Sequence, residues 1–171
     1  MMAAVKRGQV VHVLAGLENG FSTEPSGARP LLNGGGAGVP PLLMLCKQLV
    51  AEGKQPAVVM GFGSADEVFF EEVFHQLGVR TSVATLDGSQ GVKGTVLDAC
   101  RCGDSTFFYA CGPAPMLRAV CLASDIDGQV SMEERMGCGF GACMGCTIVT
   151  LSGPKRVCRE GPVFGKEELI W

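Results

Sequence analysis

Four cysteines near the carboxyl end constrain this chain more than any other feature. Cys138, Cys143, Cys146 and Cys158 stand in a C-x4-C-x2-C-x11-C pattern, with Gly137, Gly139, Gly141 and Gly145 interleaved. The first three match the plant-type spacing for a [2Fe–2S] cluster. The glycines suit that reading. A loop wound tightly round a cluster needs positive φ, and its N–H groups must approach the sulfurs with no Cβ in the way. A four-thiolate zinc site is the main competitor. Zinc ribbons usually present two C-x2-4-C knuckles, and a triplet followed by a lone cysteine fits that pattern poorly. A disulfide set lacks any mark of secretion, and unliganded buried thiols leave the glycine density unexplained.

The 171 residues are 47% hydrophobic and 18% charged, enough apolar material to bury a core. A net charge of −3, with no basic block, excludes a nucleic-acid partner that would need its phosphates neutralised. The start, Met1-Met-Ala-Ala-Val-Lys-Arg7, has no long apolar h-region, and no apolar run reaches transmembrane length. Nine cysteines without export signals point to a reducing compartment and metal ligation, so the expected location is the cytoplasm, away from any membrane.

Upstream of the cysteine loop, the pattern alternates between short apolar runs and helical periodicity. Residues 10–15 read as a strand and 16–29 as a loop, with His12 a half-buried structural residue. The stretch 30–33 leads into Gly34-Gly-Gly-Ala-Gly38-Val-Pro-Pro41, after which Leu42, Leu45, Cys46, Leu49 and Val50 recur at helical spacing up to a stop at Gly53. A glycine loop opening a helix offers free N–H donors and a positive dipole end to a pyrophosphate. The pattern, G-x-G-x-G-x-x-P, is not the Rossmann G-x-G-x-x-G, and a purely structural glycine turn stays open as the alternative. A strand over 57–62 precedes Ser64-Ala-Asp-Glu67, which reads as a capping box for a helix ending at Gly78, with His75 near its carboxyl end. Strands follow over 79–85 and 105–110, with a short helix expected over 92–101 and another over 116–123. Strands alternating with helices predict a doubly wound parallel sheet, whose ligands bind outside the strand carboxyl ends. Gly61, Ser64, Asp87, Cys111, Gly112 and Pro113 all fall at such ends beside the glycine loop. Cys100-Arg-Cys102 is a weak signal, and Cys46 and Cys121 read as core thiols. From residue 129 the chain changes character: strands over 130–132 and 147–151 bracket the cysteine loop in a module too small to hold together without a metal or other staple. The expected division is 1–29 as a lead-in and linker, 30–128 as the nucleotide-binding α/β domain and 129–171 as the [2Fe–2S] module.

Two signatures, Tyr109-Ala-Cys-Gly-Pro-Ala-Pro-Met-Leu117 and the run from Glu134 through Cys146 with Arg156-Val-Cys-Arg-Glu-Gly-Pro-Val-Phe164, resemble those of a known family. It is the electron-transfer subunit family of two-subunit, NAD-dependent (class 1B) dihydroorotate dehydrogenases, within the ferredoxin-reductase-like superfamily. The resemblance runs from about Val11 to Phe164. It implies an N-terminal FAD barrel, of which residues 14–21 resemble the exit and which this sequence otherwise lacks. It also implies a domain that receives NAD and a C-terminal [2Fe–2S] module facing an FMN-containing catalytic subunit. Carried over, Cys138, Cys143, Cys146 and Cys158 match the cluster ligands. Gly34, Gly36, Gly38 and Pro41 match the pyrophosphate loop, and Cys111-Gly112-Pro113 the segment beside the nicotinamide. The implied activity is oxidation of dihydroorotate at the partner's FMN in pyrimidine biosynthesis, with electrons passing through the cluster and FAD to NAD. Because nicotinamide exchanges a hydride and a cluster single electrons, a flavin must stand between them. The family pattern implies an arginine at position 63, where this chain has Gly63. With Asp66 and Glu67 close by, the expected nucleotide is NAD rather than NADP. Met136, Phe140 and Met144 around the cage suggest a docking face. Runner-up readings are the NAD(P)-binding subunit of another flavin/iron–sulfur complex, of the sulfide dehydrogenase or ferredoxin:NAD(P) oxidoreductase type, and a zinc-stapled or redox-sensing module without enzymatic activity.

Overall fold

The computed structural model describes residues 5–13, 19–100 and 103–171. A seven-stranded sheet forms the middle of the fold. Its central strand β1 (Pro30–Gly35) pairs in parallel with β2 (Ala57–Phe62) on one side and β5 (Phe107–Cys111) on the other. Beyond these lie β3 (Arg80–Thr85) and the two-residue β4 (Val92–Lys93) at one edge, and β6 (Gly128–Ser131) toward the other. β9 (Val163–Gly165) closes that second edge antiparallel to β6. β1 and β5 are buried along their whole length, as central strands are when helices cover both faces of a parallel sheet.

Helices α1 (Val39–Ala51) and α2 (Glu71–Gln76) pack on one face, where Leu42, Leu49 and Phe74 meet Leu32, Met60 and Tyr109. Helices α3 (Val96–Ala99) and α4 (Ala114–Ala123) cover the other, where Val96, Leu117 and Val120 meet Leu31, Val59 and Phe108. The order of strands reverses between β1 and β5, which is where a doubly wound sheet opens its ligand crevice. No helix among the described residues is long and apolar enough to cross a membrane.

Several local expectations are corrected. Residues 10–13 are not a strand: Val10 and Val13 are 84% and 76% exposed, and no described strand offers the ladder that an extended run needs; residues 14 and 15 lie outside the described residues. Ser64 does not cap a helix. A 3-10 turn over Ala65–Glu67 ends at Val68, and α2 begins only after Phe70, a non-glycine residue at φ 66. Residues 92–93 join the sheet as β4, so the helix expected over 92–101 shrinks to α3, capped by Thr95 with Asp98 reaching back to the Thr95 N–H at 2.7 Å. The 128/129 division falls inside β6, and β9 returns from beyond the cysteines to the same sheet, so the cluster segment is grafted onto the sheet edge rather than set apart from it.

Candidate functional site

The cysteine loop leaves β6 and returns through a separate hairpin of β7 (Thr147–Thr150) and β8 (Gly153–Arg156). Backbone N–H groups converge on the sulfurs. Cys138 Sγ accepts from Ala142 at 3.2 Å and Cys143 at 3.4 Å, Cys143 Sγ from Gly145 at 3.4 Å, and Cys146 Sγ from Cys158 at 3.4 Å. These donors, those of Cys143 and Phe140 foremost, pull the Cys138 thiol down to about 6, the protonation state a metal ligand needs. The sulfurs stand in contact as two pairs, Cys138 with Cys143 and Cys146 with Cys158. A [2Fe–2S] cluster takes four cysteine thiolates, so two thiol pairs on one loop are a donor set of the kind it needs. Cys146 and Cys158 are buried in the same core as Val130, Phe164 and Leu117, which ties the cage to the sheet.

Arg156 locks the loop from below, and sequence reasoning gave it no such part. Its Nη1 donates to the Gly141 carbonyl at 2.8 Å, while its Nε donates to Glu160 at 2.9 Å. Arg156 in turn holds the Glu160 carboxyl at about 2. Gly141 needs its lack of a side chain here: φ is 92, and a Cβ would lie 2.7 Å from Arg159 Cδ. Replacing Arg156 with alanine is expected to speed loss of a reconstituted cluster to a chelator by about tenfold, since outer-shell partners carry effects of that size. The decay of visible absorbance measures it. The sequence signal was faint, an arginine two residues before the last cysteine with a glutamate four residues on.

At the carboxyl ends of the strands a cavity of about 450 Å³ spans from Leu86 and Gly63 past Gly35 and Gly36 to Pro113 and Met116. Of the residues expected to touch a nucleotide, Gly36, Gly61 and Pro113 line it. Gly34 packs on α1, where a Cβ would meet Val39 and Leu42. Gly38 lies against the Cys111 carbonyl and Gly112 against Gly35, so these glycines let two loops touch backbone to backbone. Pro41 is exposed on the first turn of α1, and Ser64 lies outside the lining. Asp87 turns inward on its own loop: its carboxylate accepts the Ser89 N–H at 2.9 Å and the Ser89 hydroxyl at 2.6 Å, which keeps its pKa low. Cys111 is buried beneath the cavity, its thiol raised by burial and hydrogen-bonded to Ser131. Thr95, Val96 and Met116 line the cavity without having been singled out. The other described thiols stay apart from both sites. Cys46 and Cys121 are core residues pushed up to about 11 by burial, and Cys100 lies against the core, while Cys102 is outside the described residues.

Comparison with known proteins agrees with both halves. The model of the iron-sulfur cluster binding domain of dihydroorotate dehydrogenase B matches residues 133–170. The chain is 45% identical over 180 residues to the dihydroorotate dehydrogenase B (NAD(+)) electron transfer subunit of Bacillus caldolyticus, covering 99% of this chain and 69% of that protein. The same subunit of Bacillus mycoides (strain KBAB4) is 44% identical over 179 residues, with the same coverage. Among solved structures, an NADH-dependent reduced ferredoxin-NADP oxidoreductase superposes with a TM-score of 0.76 at 29% identity, over 89% of this chain and 58% of that one. The FAD/NAD-binding domain of a nitric oxide dioxygenase from Vibrio cholerae shares the fold, with a TM-score of 0.54 at 24% identity over 66% of this chain and 54% of that one. The ferredoxin-reductase-like sheet, the thiolate pairs on its edge and the relatives at 45% identity lead to one conclusion: the chain belongs to the family of dihydroorotate dehydrogenase B electron transfer subunits, oxidoreductase components that work with an iron–sulfur cluster, FAD and NAD.

Proposed function

We propose that this chain carries electrons from an FMN-containing catalytic subunit that oxidises dihydroorotate to NAD, in the cytoplasm, with Cys138, Cys143, Cys146 and Cys158 holding a [2Fe–2S] cluster. The observation that carries the reading is the pairing of the four sulfurs on a loop whose N–H groups point at them. Such donors stabilise anionic sulfur. When bound, the cluster supplies single-electron transfer, FAD links one- and two-electron chemistry, and NAD takes up a hydride.

The chain's own residues divide the work. The carboxyl ends of the sheet's strands form the nucleotide part, where Gly35, Gly36 and Gly61 let a dinucleotide approach backbone, and the stretch between β6 and β9 forms the cluster part. Cys111 and Pro113 flank the end at which the nicotinamide would lie. Met136, Phe140 and Met144 are about half exposed around the cage and offer the apolar face that the catalytic subunit would cover, excluding water from the path.

Anaerobic reconstitution of the full chain with iron and sulfide tests this. A [2Fe–2S] absorption and electron-resonance spectrum is expected, and dihydroorotate-dependent NADH formation once the catalytic subunit and FAD are added. A colourless protein that takes up zinc instead would overturn it. The likeness to a ferredoxin-NADP oxidoreductase favours a second reading, a subunit of another flavin/iron–sulfur complex. NAD reduction driven by reduced ferredoxin and not by dihydroorotate would select it.

A further inference from the structure

A second cavity, of about 400 Å³, lies on the sheet face that α3 and α4 cover. Leu31, Phe108 and Val120 give it apolar walls, and Asp125 is exposed at its mouth. Among the described residues it shares Leu97 alone with the crevice at the carboxyl ends of the strands. Asn33, the fourth residue of β1, lines it too. The register partners of Asn33 are Val59 and Ala110, both buried and apolar, so its amide stands in the middle of a hydrophobic sheet face. Asn33 is 2% exposed, and its Nδ2 finds no hydrogen-bond acceptor among the described residues. A buried amide donor without a partner costs free energy that a leucine in the same place would not.

We propose that this cavity is a second ligand site, which takes an uncharged, largely apolar molecule presenting one carbonyl oxygen to the Asn33 amide. The lining sets the class. Apolar walls favour an apolar body through the area both remove from water. The orienting group at depth is a hydrogen-bond donor, and ligand sites commonly fix a mostly apolar molecule with a few polar groups of this kind. A carboxylate in the same place would bring its charge among Leu31, Phe108 and Val120 without a counter-ion. The charged residue among the described lining is Asp125, of the same sign. Size agrees with a small molecule rather than with solvent alone. A cavity of about 400 Å³ falls in the range of about 300–1,000 Å³ that small-molecule sites occupy, whereas one water takes about 30 Å³.

The test uses the full chain and prodan, a neutral naphthalene dye with one carbonyl whose emission moves to the red when that oxygen accepts a hydrogen bond. Fluorescence titration of the native chain is expected to show saturable binding. Asn33→Leu should weaken it by about tenfold, the loss of one hydrogen bond, and return the emission of the bound dye toward the blue. Asn33→Ala removes the amide without adding bulk and should do the same, so the test survives if leucine packs badly. Ala123→Trp, at an exposed position of α4 on the cavity wall, should exclude the dye by filling its space. No binding by the native chain, with the amide served by water alone, overturns the proposal. Binding that the Asn33 and Ala123 substitutions leave unchanged overturns it too, because the dye then sits on another apolar surface.

Discussion

A chain in which Cys158 is replaced by alanine will retain almost no iron–sulfur absorbance after reconstitution, and electron transfer to a one-electron dye will fall by at least about 100-fold. Cys158 is the most distant of the four thiols in sequence. It reaches the cage only because Val157 N–H donates to the Cys146 carbonyl at 3.1 Å and Cys158 N–H to the Cys146 sulfur. On the proposed ligand set, removing it would leave Cys146 without its paired thiolate and one iron short of a ligand. The effect is expected to reach stability as well, because a metal that binds only the folded state adds its binding energy to folding. The β7–β8 hairpin and the loop from 133 to 146 should become protease-sensitive while the seven-stranded sheet survives. Cys46→Ala and Cys121→Ala serve as controls. Both thiols are buried in the core on helices α1 and α4 and lie outside the cage, so their loss should lower stability by about 1 kcal/mol and leave the iron content unchanged. Full iron loading in the Cys158 variant would refute its assignment as a ligand.

Replacing Gly38 with alanine comes second in expected size, and it acts on the other half of the molecule. A Cβ there would sit 2.1 Å from the Cys111 carbonyl oxygen and 2.6 Å from the Gly112 nitrogen. Both neighbours are backbone, so nothing can rotate away. One of the two loops that frame the cavity must move. Overpacking of this kind costs about 1–3 kcal/mol, read as a fall in the denaturant midpoint. Nucleotide affinity should drop by about tenfold or more, because the same shift displaces Pro113 from the cavity wall. Gly36 provides the contrast. It has φ 48 and open space where a Cβ would go, so alanine there meets only the left-handed backbone penalty of about 1 kcal/mol. If Gly38→Ala proved as mild as Gly36→Ala, the close contact between the glycine loop and the end of β5 would be wrong.

The parts legible in the sequence share a property: their chemistry is local. The run from Cys138 to Cys146 announces a metal loop because its spacing, glycines and thiols are contiguous. The apolar runs at β2 and β5 announce buried parallel strands because each is uninterrupted, whereas the central strand β1, with Asn33 and two glycines in six residues, gives no such signal. Gly53 and Gly78, at φ 76 and 72, end their helices where expected, since a left-handed residue after a helix is a local requirement. The misreadings arose where a distant partner decides. Ser64 and Glu67 looked like a helix cap by spacing, yet the Ala65 N–H finds the Ser89 hydroxyl at 2.7 Å, twenty-four residues away, and Glu67 turns to Gly63. Val92 and Lys93 read as helix, and became a strand because Ala84 and Thr85 presented a free edge.

By itself the sequence determined the family and the α/β alternation, and it singled out four cysteines, since contiguous motifs and hydrophobic period are properties of the chain alone. Only the tertiary structure decided that β9 returns to β6, that Arg156 braces Gly141, and that Gly38 touches Cys111 while Gly36 faces the cavity. Each of these depends on groups far apart in the chain being brought within bonding distance, and it is the burial of two apolar faces on a single sheet that brings them there.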